Sequence, residues 1–274
     1  MTRNNIVYAA KNEGVIGNAE ILCDGITVLT GPNGCGKSTI LRKVLHPRFK
    51  KYGHVGLITG WQKGSWIDDR PLGNLREVFE AYDGTSEVME PESLAYKATA
   101  RVEELLDGYF YYDEEIGEPY FSPNKPRRRP YSAQYCSNGE LTLGFLQVAL
   151  LLCCWEDKHL IVLDSPDAFL SPDWIVEYAR LIVWINKALG TRFVISTHNP
   201  DMVSAIRYIA EAEGTLGAVR FYLAKKNDDR RYDYRECVED KKSIEPIFKF
   251  FATALDKIDE YGENNLWDEG DDEE

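Results

Sequence analysis

Nine consecutive residues constrain this chain more than any other feature: Gly31-Pro32-Asn33-Gly34-Cys35-Gly36-Lys37-Ser38-Thr39. The spacing Gly31-x4-Gly36-Lys37-Ser38 is that of a phosphate-binding loop. It follows the β-branched run Ile26-Thr27-Val28-Leu29-Thr30 and precedes Ile40, Leu41, Val44 and Leu45 at helical spacing. The loop therefore joins a strand to a helix N-terminus, the setting in which the motif works. Glycines let successive backbone N–H groups from Asn33, Gly34, Cys35 and Gly36 turn inward around phosphates, and the helix start adds positive potential. Lys37 is expected to reach the β- and γ-phosphates, Ser38 to ligate Mg²⁺ through its hydroxyl, and Thr39 to complete the set.

The rest of the pattern fits one α/β domain with an insertion. Residues 5–30 read as two or three strands, and a short strand from Val55 to Thr59 leads to Gln62. Between 64 and 130 the pattern changes: helices at Leu75–Tyr82 and Glu92–Leu106, then a hairpin, Tyr109–Phe121, turning at Glu115-Ile116-Gly117. A basic, proline-bounded loop, Lys125–Pro130, closes this part. A very apolar helix is expected from Ser137 to about Trp155, interrupted only by Gln147, and then a buried strand at His159–Leu163. Ser171-Pro172 reads as a capping hydroxyl and a first-turn proline opening a helix that buries Trp174, Tyr178, Leu181, Ile182 and Ile185. A strand at Arg192–Ser196 and a last helix near Ser243–Ile258 follow. The domain reading is thus a core of 1–63 and 131–225, an insertion of 64–130, a strand and helix extension of 226–260, and a tail of 261–274.

Hydrophobic residues make up 44% and charged residues 28% of the 274, which is ordinary globular usage and excludes a wholly disordered chain. No apolar stretch is long enough to span a bilayer, and the N-terminus lacks a leader's apolar core, so a cytoplasmic protein without membrane contact is expected. Of the net charge of −13, residues 256–274 hold −9, ten acids against Lys257, leaving −4 for the body. The tail is expected to be disordered from about Gly262. The six cysteines, Cys23, Cys35, Cys136, Cys153, Cys154 and Cys237, form no CxxC pair and read as small buried hydrophobes.

Four further elements follow the loop in a telling order. Gln62 ends the strand after the first helix. Cys136-Ser137-Asn138-Gly139-Glu140 combines a Ser-x-Gly-Glu sequence with a capping box, Ser137 to Glu140. Leu160-Ile161-Val162-Leu163-Asp164 is an apolar strand ending in a carboxylate, with Asp167-Ala168-Phe169-Leu170-Ser171-Pro172 after it. Ser196-Thr197-His198-Asn199-Pro200 places a histidine at the end of the next strand, where α/β sheets bind ligands. Over residues 5–225 this order resembles the ABC class of P-loop ATPases, in its soluble SMC-like and OLD-like branch of DNA repair and antiviral defence, without coiled-coil arms.

The resemblance implies an ABC-ATPase head: a P-loop core sheet, an N-terminal antiparallel β part and a helical and hairpin insertion. It implies ATP and Mg²⁺ as cofactors and a head-to-tail homodimer sandwiching two nucleotides. Gln62 is implied as the loop glutamine at Mg²⁺, with plain surface polarity as the other reading. Ser137, Gly139 and Glu140 are implied at the γ-phosphate of the opposite subunit. Asp164 is implied to orient Mg²⁺, and His198 to touch the γ-phosphate.

One position departs from the pattern. Where the family places a glutamate after the Mg²⁺ aspartate, this chain has Ser165, which cannot accept a proton as a carboxylate does. Either hydrolysis is slow and ATP acts as a dimerisation switch, or Asp167 or a partner supplies the base. Three functions remain open: the ATPase subunit of a genome-maintenance or anti-phage complex with a separately encoded effector, a transporter's nucleotide-binding subunit, or a module using ATP structurally. Arg127, Arg128 and Arg129 are open to nucleic acid, to an acidic partner surface, or to solvent alone.

Overall fold

The computed structural model describes residues 6–44, 54–56, 94–153, 160–237 and 244–264. Its core is an eight-stranded sheet, entered through an antiparallel pair, β1 (Ile6–Glu13) and β2 (Ile16–Leu22). Next come β3 (Ile26–Thr30), α1 (Lys37–Val44) and β4 (His54–Gly56). A helical and hairpin section follows: α2 (Leu94–Leu106), β5 (Gly108–Asp113), β6 (Glu118–Pro123), β7 (Tyr131–Ser132) and α3 (Asn138–Cys153). Then β8 (Leu160–Asp164), α4 (Pro172–Leu189), β9 (Arg192–Ser196) and α5 (Pro200–Ala212) alternate. The chain closes with β10 (Val219–Lys226), β11 (Tyr232–Glu236) and α6 (Glu245–Asn264).

The spatial order is β1-β2-β11-β10-β3-β9-β8-β4. Strands β10, β3, β9, β8 and β4 are parallel neighbours, each pair in continuous register. A parallel strand covered on both faces must be apolar throughout, and β3 and β8 are buried at all five positions. Alternation then splits them between two cores. Leu160 and Val162 join α1 and the β1–β2 pair on one face, and Ile161 and Leu163 join the helices α3, α4 and α5 on the other.

The insertion is tied to α3 by specific contacts. β5, β6 and β7 form a separate antiparallel sheet. A Cβ at Gly144 would lie 2.2 Å from the Phe110 ring, so only glycine lets the hairpin sit this close to α3. Gln147, which interrupts the apolar run in sequence, is 2% exposed, accepts from the Phe110 N–H at 3.0 Å and donates to Glu103 at 3.0 Å. A buried amide on an apolar helix is stable only with such partners.

Three expectations need correction. Residues 226–260 are not an appendage: β11 lies between β2 and β10 inside the main sheet, joined to β10 by a five-pair antiparallel register. The reason is long-range pairing that a short, polar strand cannot advertise. Ser171 precedes α4 and Pro172 occupies its first turn, yet the Ser171 side chain makes no capping bond. The final helix continues past Gly262 to Asn264, an interior glycine costing only about 1 kcal/mol. Gln62, the Leu75–Tyr82 helix, most of the Val55–Thr59 strand and the last ten residues lie outside the described residues.

Candidate functional site

The loop Gly31–Gly36 is held by both flanking hairpins. Gly31, Gly34 and Gly36 have φ of 143°, 77° and 99°, a region closed to most side chains. A Cβ at Gly31 would stand 2.7 Å from the Ala224 Cβ on β10, and one at Gly36 would meet Ile16 and Val15 at 3.1 Å. Tyr234 of β11, buried, donates its hydroxyl to the Cys35 carbonyl at 3.3 Å and touches the Cys35 sulfur at 3.4 Å. Sequence reading missed Tyr234 and Ala224, because nothing local ties residues 224–234 to a loop some 190 positions earlier.

Lys37 is 5% exposed, and its ammonium donates to the carbonyls of Gly31 and Pro32, each at 3.1 Å. Burial lowers its pKa, while Cys35 and Asp164 act to raise it. A buried cation turned toward oxygen acceptors is suited to phosphoryl oxygens, which would take the place of these carbonyls. The loop residues present therefore fit a triphosphate.

Asn33, Ser38, Asp164, Ser165, Asp167 and His198 line one cavity of about 590 Å³. Register sets much of this, because Asp164 pairs with Ser196 across β8 and β9. The Ser196 hydroxyl donates to an Asp164 carboxylate oxygen and aims it; Ser196 is a third residue whose role the sequence did not single out. The Ser165 N–H donates to the Ser196 carbonyl at 2.9 Å and to its hydroxyl at 3.1 Å. Ser165 itself is left-handed, with φ 53° and ψ 53°.

His198 follows β9 in a loop pinned by Thr197 N–H to Leu29 carbonyl at 3.0 Å and by the Asn199 cap on α5. Desolvation first, and then the Lys37 charge, hold its imidazole below the ordinary value, against Asp164 and a hydrogen bond to the Gly31 backbone. Asp167 is 7% exposed with one carboxylate oxygen lacking any partner. Burial raises its pKa from 3.8 to about 6, against a hydrogen bond from Thr197, with the Asp164 charge adding to the rise.

A pH effect follows. The folded state holds the Asp167 proton more tightly than the unfolded state, so this contribution is full below about pH 4 and is lost as pH rises through about 6. The difference between 3.8 and about 6 corresponds to about 3 kcal/mol at most. In nucleotide-free, Mg²⁺-free protein, Asp167→Asn is expected to be more stable than the parent at pH 7.5, the gap closing toward pH 4. Urea unfolding across that range checks it, and a gap independent of pH would refute it.

The Ser-x-Gly-Glu segment is elsewhere. Its capping box is formed, Glu140 N–H donating to the Ser137 hydroxyl at 3.2 Å and Ser137 N–H to the Glu140 carboxylate at 2.7 Å. Ser137 is exposed and does not line the cavity. Gly139 packs so closely on the turn Pro166–Phe169 that a Cβ would lie 2.9 Å from the Phe169 carbonyl oxygen. The helix end is thus braced by the turn after Asp164, with Ser137 exposed at its start. Among the described residues, no group of His, Cys, Asp and Glu could hold a metal by itself. Ser38 and Asp164 would hold Mg²⁺ only together with phosphate oxygens, which is the usual habit of that ion.

No protein-family model matches this chain. It is 27% identical over 231 residues to a Bacillus thuringiensis subsp. konkukian protein described as an ABC transporter ATP-binding protein, covering 78% of this chain. The chain spans 39% of that relative's length. It is 23% identical over 209 residues to the zinc uptake system ATP-binding protein ZurA of Listeria innocua serovar 6a, covering 75% of this chain and 78% of the relative. Among solved structures, a chain from the ribosome-bound archaeal Pelota and ABCE1 assembly superposes with a TM-score of 0.51 at 17% identity. That match covers 92% of this chain and 37% of the other.

Proposed function

We propose that this chain, which has the fold of an ABC-type P-loop ATPase head, binds ATP between two copies of itself and hydrolyses it slowly. The observation that carries this reading is the division of the site. One cavity gathers Ser38, Asp164, Asp167 and His198, while Ser137, at the start of α3, is exposed and lies outside it. A helix N-terminus favours anions, and Ser137, exposed and outside that cavity, is placed to meet one carried by a second molecule. Tyr135, 75% exposed, and Phe169, 39% exposed, flank that end and gain burial in such a dimer.

In the mechanism, Lys37 neutralises the β- and γ-phosphates and the loop amides orient them. Ser38 and Asp164 would hold Mg²⁺, which would supply further neutralisation of the phosphate charge. Gln62 is expected to join that metal set. His198, kept neutral, offers a hydrogen bond to the γ-phosphate without adding charge. Ser165 leaves the attacking water without a carboxylate beside Asp164, which makes turnover slow; Asp167, a carboxylate in the same cavity, or a partner is the alternative base.

The biological role we assign is the cytoplasmic ATPase subunit of a genome-maintenance or antiviral defence complex, acting on a separately encoded effector. Nucleic acid would be met through Arg127, Arg128 and Arg129. Among the described residues no helix is long and apolar enough to cross a membrane. A second reading, the ATP-binding subunit of a transporter, is favoured by the names of both relatives above. Co-purification separates the two: a soluble effector or nucleic acid supports the first, an integral membrane protein the second.

The signature role has its own test. Ser137→Arg is expected to leave ATP binding to the monomer unchanged and to block the Mg²⁺-ATP dimer, because charge and bulk then meet the opposing γ-phosphate site. A variant that still doubles its mass with ATP in light scattering would remove Ser137 from the interface.

A further inference from the structure

We propose that the outer face of the β5–β6–β7 sheet, with the arginine loop beside it, is a stacking platform for single-stranded nucleic acid. It rests on the nucleic-acid reading of that loop and adds to it the bases that the aromatic rings would hold.

Alternation divides the hairpin's aromatic residues between two faces. Phe110 and Phe121 turn inward, with ring centroids 4.9 Å apart, and pack on α3; Tyr131 joins them at 5.6 Å from Phe121. Tyr109, Tyr111 and Tyr120 turn outward and form a continuous row, with centroids 6.1 Å apart from Tyr109 to Tyr111 and 6.0 Å from Tyr111 to Tyr120. Tyr111 and Tyr120 are directly opposed, and a cross-strand aromatic pair helps hold any antiparallel sheet. That account does not reach Tyr109, which faces Ser122 and is 40% exposed. Two-sided aromatic content on one small sheet is more than its packing against α3 requires.

Charge lies at one end of the row. β6 leads directly into residues 124–130, every one of them exposed. The loop is anchored at the Tyr109 end, where Asn124 N–H donates to the Asp107 carbonyl at 2.9 Å and Lys125 pairs with Asp107 at 2.8 Å. Arg127, Arg128 and Arg129 form no ion pair among the described residues. The opposite end carries Asp113, Glu114, Glu115 and Glu118, so a polyanion is attracted at the arginines and repelled at the turn. An acidic protein surface would satisfy the arginines alone. One exposed ring, Tyr109, and two half-buried ones, Tyr111 and Tyr120, running from a cationic loop match the combination that binds unpaired bases: cations for the backbone, aromatic faces for the bases. A duplex keeps its base faces stacked within itself and cannot use the row.

The test is fluorescence anisotropy of a labelled oligothymidine, an oligouridine and a duplex of equal length, each titrated with full-length protein without nucleotide. Both single strands are expected to bind, and the duplex more weakly. Tyr109→Ala and Tyr111→Ala should each weaken single-strand binding roughly 5- to 150-fold, with Phe at the same positions retaining most of it. Replacing the three arginines by alanine should lower the salt dependence, the slope of log K against log salt, by about 2. If duplex and single strands bind alike and the tyrosine variants change nothing, the arginine contact stands and the platform falls. If no probe binds at low salt, both fall. Binding lost equally in the Phe and Ala variants overturns stacking as the cause.

Discussion

Lys37→Ala is expected to weaken Mg²⁺-ATP binding roughly a hundred- to several-thousand-fold. The magnitude follows from the site. The ammonium is 5% exposed and already desolvated among loop carbonyls, so the phosphates meet a cation that water screens little. Removing one partner of a buried, hydrogen-bonded charge pair costs about 3–5 kcal/mol, which is the fold-change stated. The nucleotide-free protein should not lose stability in proportion, since the same substitution also removes a buried charge whose pKa burial pushes down. Isothermal titration of parent and variant, with thermal unfolding of both alone, separates the two effects. An unchanged dissociation constant would sink the phosphate-loop assignment.

Ser165→Glu should raise ATP turnover by ~10²–10⁴-fold, the usual contribution of a positioned general base. The backbone does not oppose the change strongly. Left-handed geometry costs an L-residue about 1–2 kcal/mol, and Ser165 already bears that cost through its N–H bonds to Ser196. The parent should turn over well below the ~1–100 s⁻¹ typical of kinases. A large gain means the site is tuned down and the ATP-bound state is the working one. No gain with a slow parent favours structural ATP. A fast parent silenced by Asp167→Asn makes Asp167 the base, a role its cavity position and a pKa near 6 suit.

How much of this could be read in the sequence depends on the range over which each feature is fixed. The Gly31–Thr39 motif was legible because its glycines, lysine and hydroxyls stand at a fixed local spacing, and Gly31, Gly34 and Gly36 take positive φ in the structure. The capping box at Ser137 and Glu140 is local and formed as expected. Strands β3 and β8 announced themselves as unbroken apolar runs. Tyr232–Glu236 did not: its burial is mixed, and its place in the sheet rests on partners at Tyr222–Lys226 and Ile16. Ser196 escaped notice for a similar reason, since its bond to Asp164 exists only through the β8–β9 register. Gln147 looked like a flaw in an apolar helix, and only its partners Phe110 and Glu103 explain it. The order of the motifs implied a divided site, with Ser137 serving the opposite subunit, and Ser137 is indeed exposed and outside the cavity that gathers Asp164 and His198.

That division makes the central claim measurable in the unmodified protein. Multi-angle light scattering with and without Mg²⁺ and ATP reports the mass directly. The account predicts one chain without nucleotide and two chains with it, the dimer persisting for minutes because Ser165 leaves hydrolysis slow. A mass that does not respond to ATP, or a dimer that forms and dissolves within seconds of mixing, would contradict it.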